Sequence, residues 1–142
     1  MSTTSTSHMG QVDGYYTDSS VNLLDGSTTL SATFITKPIP LHRARSVDFN
    51  IYAPTTGSPD YTFKMQVSND ETTDHKENIP SANLINWADL PSGGNRTVSV
   101  QVNSATPKLL SDPDCTSKWV RLVGTKSSGS ITPTIRIHVK AR

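Results

Sequence analysis

DYTFKMQV, residues 60–67, sets Tyr61, Phe63, Met65 and Val67 in strict alternation with Thr62, Lys64 and Gln66. Successive side chains of a strand point to opposite faces. The alternation therefore predicts a β-strand with one face in a core and the other in water. The same period-two pattern recurs on both sides of it. RSVDFNIYA (45–53) places Val47, Phe49 and Ile51 opposite Ser46, Asp48 and Asn50. TLSATFIT (29–36) offers Leu30, Ala32 and Phe34, RTVSVQVN (96–103) offers Val98, Val100 and Val102, and TIRIHVKA (134–141) offers Ile135, Ile137 and Val139. SKWVRLVGT (117–125) is apolar on both faces, with Trp119, Arg121 and Val123 opposite Val120 and Leu122.

Turn formers separate these runs: PTTGSPD, LPSGGN, SDPDC and KSSGS. Strands punctuated this way, with prolines mostly at their ends, predict an all-β, antiparallel β-sandwich, small and jelly-roll-like. SANLINWADL (81–90) has room for one helical turn at most. The expected organisation is a polar N-terminal arm over 1–18 and a single sandwich domain over 19–142. The arm is rich in Ser, Thr and Gly, with Tyr15 and Tyr16 its bulky anchors. Such a segment does not bury enough surface to offset its own ordering entropy, so it is either a flexible tail or an arm ordered by a partner.

The bulk numbers narrow the function. At 142 residues the chain is one domain, and 33% hydrophobic content suits a thin two-layer structure better than a helical bundle. A formal net charge of +1 gives no electrostatic footprint for nucleic acid or an anionic membrane, and no apolar run is long enough to span a bilayer as a helix. The first residues, MSTTSTSHMGQ, do not read as a Sec-type signal peptide, so synthesis in a cytoplasm is expected. Cys115 is the single cysteine, which excludes an internal disulfide, and no neighbouring cation marks it as a nucleophile.

The loop after the strand at 60–67 is the place where chemistry would sit. NDETTDHKE (69–77) crowds Asn69, Asp70, Glu71 and Asp74, oxygen donors of the kind Ca²⁺ takes. The spacing is not that of an EF-hand, and Asp and Asn also cap turns without any metal. Paired carboxylates for glycoside hydrolysis need a fixed separation, which neighbours on one hairpin do not supply. His8, His42, His75 and His138 share no ligand spacing. No phosphate-cradling glycine loop or Ser-centred nucleophile motif is present. The expectation is therefore no catalysis, no cofactor and no metal, with Asp70, Asp74 and Trp87 as candidate loop or ligand contacts.

LHRARS (41–46) is the one local basic cluster, and Arg43 and Arg45 are candidate contacts to a protein partner. Aromatics do not interleave with them, so a stacking platform for single-stranded nucleic acid is not expected. Trp119, inside an apolar run, is expected in the core, and Trp87 is expected to close the hairpin end of that core. An exposed Trp87 beside Asn86 and Asp89 would instead suit carbohydrate stacking.

Three pieces taken together carry a resemblance. QVSND (66–70) leads through a loop to NWADLP (86–91), and WVRLV (119–123) leads through a Gly/Ser turn to the aliphatic-alternating IRIHVKA (135–141). With IPLHRARSVDFNIY ahead of them, they cover roughly residues 35–142 in order. The set resembles small β-sandwich virion proteins of bacteriophages, the head decoration (cement) proteins among them, from which this chain departs by a longer loop over 71–85. The resemblance implies a structural role on the capsid surface, the major capsid protein as partner, and a homo-oligomer, most often a trimer. It carries over no active-site residue. Tyr15, Tyr16, Arg43 and Arg45 are then the candidate capsid or subunit contacts. The alternative from another class is a carbohydrate- or receptor-binding module of a phage tail or spike.

Overall fold

The computed structural model describes residues 19–41, 44–54, 58–69 and 86–141. Ten strands make up the ordered framework: β1 (Ser19–Asp25), β2 (Phe34–Ile35), β3 (Ile39–Pro40), β4 (Ala44–Tyr52), β5 (Asp60–Ser68), β6 (Ala88–Asp89), β7 (Ser99–Val102), β8 (Lys108–Asp112), β9 (Trp119–Ser128) and β10 (Thr134–Ala141). They form two antiparallel sheets. The first runs β1-β10-β4-β8; the second is built on the long β5–β9 pair, with β2 and β3 along the far side of β9 and β6 and β7 along the far side of β5. There is no helix among the described residues.

The alternation read from the sequence is what holds the sheets together. Val47, Phe49 and Ile51 of β4, with Ile135, Ile137 and Val139 of β10, form the inner face of the first sheet. Tyr61, Phe63 and Met65 of β5, with Val120 and Leu122 of β9, form the inner face of the second. All are essentially fully buried, and each contributes about 1.5–3 kcal/mol of hydrophobic free energy. Gly124 faces Phe63 directly across the β9–β5 pair, and a Cβ there would lie 2.6 Å from the ring, so this position admits only glycine without a shift in the core. Tyr61 stacks on Phe63 at 6.0 Å and its hydroxyl donates to the Ala32 carbonyl at 3.2 Å. That bond supplies the partner a buried phenol needs, and burial raises its pKa.

Three expectations need correction. TLSATFIT is not one strand: Leu30 forms an isolated bridge to Ile131, Ala32 is exposed, and only Phe34 and Ile35 pair with β9. Thr36 stops the alternation by turning inward, where its Oγ1 accepts from the Leu122 N–H at 2.9 Å. β1 was not expected as a strand, because a bulge between Asn22 and Leu24 shifts its register and sets Val21 against Ile137 but Leu24 against Ile135. β8 was missed as well. Its inner-face residue Asp112 is a carboxylate, 2% exposed, while Leu109 on its outer face is 48% exposed. The Arg96 guanidinium resolves the first half of that inversion, pairing with Asp112 at 3.1 Å.

Candidate functional site

Of the sequence pieces that carry the resemblance, QVSND, NWADLP and WVRLV fall on the second sheet, and several of their side chains meet on its outer face. Antiparallel pairing sets Gln66 of β5 opposite Arg121 of β9 on one side and opposite Asp89 of β6 on the other. Directly opposed residues share a face, so Arg121, Gln66 and Asp89 make one row across three strands. The Gln66 Oε1 accepts from Arg121 Nε at 2.9 Å and from Nη2 at 2.7 Å, and its Nε2 donates to Asp89 Oδ1 at 2.9 Å. Lys64, two residues back on the same face of β5, closes the row with an ion pair to Asp89 at 3.1 Å.

The Arg121 guanidinium carbon lies 4.4 Å from the centre of the Trp87 ring, a cation–π arrangement. Burial lowers the Arg121 pKa, yet a guanidinium stays protonated at any ordinary pH. The Gln66 and Lys64 hydrogen bonds hold the Asp89 carboxyl below the usual carboxylate range. The Trp87 indole N–H is buried without a hydrogen-bond partner. Asn69 adds a further tie, its Oδ1 accepting from the Lys118 backbone N–H at 2.9 Å, and the Leu90 N–H donates to the Met65 carbonyl at 3.1 Å. Each of these contacts joins one strand or strand end to another.

Trp87 is therefore not at the hairpin end of the core, as expected, but half-buried on the outer face with Arg121 against it. Trp119 likewise departs from the expectation. It is half-buried and shares a face with Arg121, because the register that turns Val120 and Leu122 inward turns Trp119 outward. Arg45 is exposed at the start of β4, and its carbonyl accepts from the Cys115 N–H at 2.8 Å. Cys115 is a buried thiol, its Sγ 3.8 Å from the Asp112 carbonyl. Tyr15, Tyr16, Arg43, Asp70 and Asp74 lie outside the described residues, as do His8, His42 and His75. Among the described residues no three His, Cys, Asp or Glu side chains come together as a metal site would require. Gln66, Asp89 and Arg121 were visible in the sequence as letters of the motif. Their mutual bonding follows only from the register of three strands.

No protein-family model and no curated protein matches the chain. Among solved structures, the SPBc2 prophage-derived protein YomS superposes with a TM-score of 0.45 at 8% identity, covering 86% of this chain and 91% of that one. A structure described as "CBM4 structure and function" gives 0.37 at 15% identity over 92% and 73% of the two chains. A xylan-binding domain from CBM 22 gives 0.38 at 11% identity over 92% and 88%. No residue role is carried over from them. The class rests on the molecule's own two sheets: an antiparallel β-sandwich whose second sheet is fastened across its outer face by a Trp–Arg–Gln–Asp–Lys relay.

Proposed function

We propose that this chain is a non-enzymatic structural protein of a bacteriophage virion, a decoration (cement) protein that binds the outer surface of the head and stabilises capsomer contacts. One observation carries the reading. Six of the residues in the matching pieces, Gln66, Asn69, Trp87, Asp89, Leu90 and Arg121, are engaged with one another or with neighbouring strands. A motif that fastens a sandwich is what related building blocks would share, whereas a shared binding site would leave its polar groups open to a ligand. In this reading the major capsid protein is the partner. The N-terminal arm with Tyr15 and Tyr16, the basic stretch with Arg43 and Arg45, and the 71–85 loop are the attachment elements. Weak contacts of that kind hold through multivalency on a particle with many equivalent sites.

The rival, a carbohydrate- or receptor-binding module, asks for an open aromatic face at Trp87, and Arg121 stands over one face of that ring. The experiment that separates the two is the copy number of the chain in purified virions, measured by quantitative mass spectrometry against the major capsid protein. A decoration protein is present in hundreds of copies per particle. A handful would place it at a tail or spike, and absence from the particle would end the virion reading.

A further inference from the structure

The edge strand of an open sheet carries backbone N–H and C=O groups that a further strand can take. Most edges of this sandwich are short or covered. β2 and β3 have two residues each and flank Lys37 and Pro38, β6 has two residues and β7 four. β8 is bridged at Ser111, whose N–H and carbonyl both bond to Thr97 at 2.9 Å. β1 differs from all of these. It is seven residues long, SSVNLLD, without Lys, Arg or Pro, and among the described strands only β10 pairs with it. Its bulge lies between Asn22 and Leu24, which leaves the Ser19–Asn22 backbone regular.

The bonding pattern shows which groups of β1 are open. The Gly26 N–H donates to the Pro133 carbonyl at 3.1 Å. In an antiparallel ladder every second residue turns its backbone groups to the same neighbour. Pro133, Ile135, Ile137 and Val139 therefore turn theirs to β1, and the partners Leu24, Val21 and Ser19 turn theirs to β10. Ser20 and Asn22 turn theirs outward. Such an edge is its own complement. Antiparallel pairing centred on Val21 sets Ser20 of each copy opposite Asn22 of the other, with both N–H···O=C bonds exchanged in each pair. The charged residue of β1, Asp25, falls beyond the paired stretch, so like charges do not oppose.

A second observation asks for a whole sandwich as the occupant and not a lone strand. Thr97 bridges β8 and the chain runs on directly into β7, so the β8 and β7 edges share one side of the molecule. The β1 and β2 edges share the other. On that side Ile35 of β2 is 48% exposed, the one large apolar side chain of the second sheet left in water among the described residues. The two-fold axis relating paired β1 strands stands perpendicular to the sheet. Both second sheets then lie on the same side of the joint sheet, with their β2 edges facing each other. A lone strand on β1 would leave Ile35 in water, whereas a second copy brings its own β2 edge towards it. We infer that two copies of this chain join through β1, merging their four-stranded sheets into one continuous sheet, as an isologous dimer with Ile35 along the seam. The inference concerns the protein alone in solution and does not rest on the virion reading. A two-fold contact also differs from the trimer that the resemblance implies.

Sedimentation equilibrium on the full chain tests it. The wild type is expected to be a dimer whose association changes by less than about twofold between about 50 and about 500 mM salt, because backbone and apolar contacts are little screened. Ser20→Pro removes an outward N–H that the chain's own sheet does not use, and should weaken association on the order of tenfold or more. Ile35→Ser should weaken it about threefold or more. S20K/N22K sets like charges against one another across the seam and should dissociate the dimer, and mixing it with S20E/N22E should restore pairing. Circular dichroism melts verify that each variant is folded. A wild type that is monomeric or trimeric, a folded Ser20→Pro or Ile35→Ser variant that dimerises like wild type, or charge variants that do not pair on mixing would overturn the inference.

Discussion

The two outer faces of this sandwich have been treated differently by the sequence. On the second sheet, Lys64, Gln66, Asp89 and Arg121 bond to one another across neighbouring strands, and the Trp87 ring packs on Arg121. On the first sheet, Tyr52 and Leu109 stand in water, 42% and 48% exposed. The difference has a structural origin. β6 and the strands flanking β9 contribute only two residues each, and strands that short need side-chain ties to stay in register. The first sheet has no such need, because β10 pairs along its length with both β1 and β4.

Substitutions should separate fastening from contact. The largest effect is expected beneath the fastened face. Gly124→Val sets a branched side chain against the fully buried Phe63 ring, which a Cβ alone would already approach to 2.6 Å, and should cost about 3 kcal/mol in urea unfolding. Arg96→Ala, at the seam between the sheets, leaves the Asp112 carboxylate buried without its cation. Since Arg96 is partly exposed, the loss should be about 2 kcal/mol, below the full value for a buried pair. On the relay itself, Arg121→Ala should cost about 1 kcal/mol and shift Trp emission to the red as the Trp87 ring loses its cover.

The acid limb of stability tests the relay more gently. Asp89 has its pKa lowered in the folded state, so its carboxylate contributes stability above the unfolded value near 3.8, and the contribution disappears as pH falls through the lower folded value. The wild type should therefore lose slightly more stability than Asp89→Asn below about pH 4, and the two should run parallel above it. The smallest effect is expected on the open face. Leu109→Ser should leave the melting curve within about 0.5 kcal/mol of wild type, because the side chain it removes is half in water. A large loss there would mean that the first sheet is fastened from outside after all.

How much of this was legible in the sequence depended on whether alternation survived. β4, β5 and β10 kept strict alternation and their inner faces were read correctly, while β9 was read as a strand but not for which of its faces is the inner one. β1 was hidden by its bulge, and β8 by a buried aspartate and an exposed leucine, both locally inverted signals that only a tertiary partner explains. Trp119 was misjudged because β9 is apolar on both sides, so hydrophobicity alone did not say which side faced in. The relay was present as motif letters without a meaning. Gln66, Asp89 and Arg121 are far apart in the chain, and nothing local states that three strands will set them side by side.

In the proposed reading, the patch around Trp87 fastens the sandwich and takes no ligand. The indole N–H resonance of Trp87, followed by nuclear magnetic resonance during hydrogen exchange and during titration with oligosaccharides, tests it directly. The indole proton is expected to exchange slowly, because the nitrogen is buried, and its resonance is expected not to move as sugar is added. Fast exchange together with a saturable shift on sugar addition would contradict it and make Trp87 a binding residue.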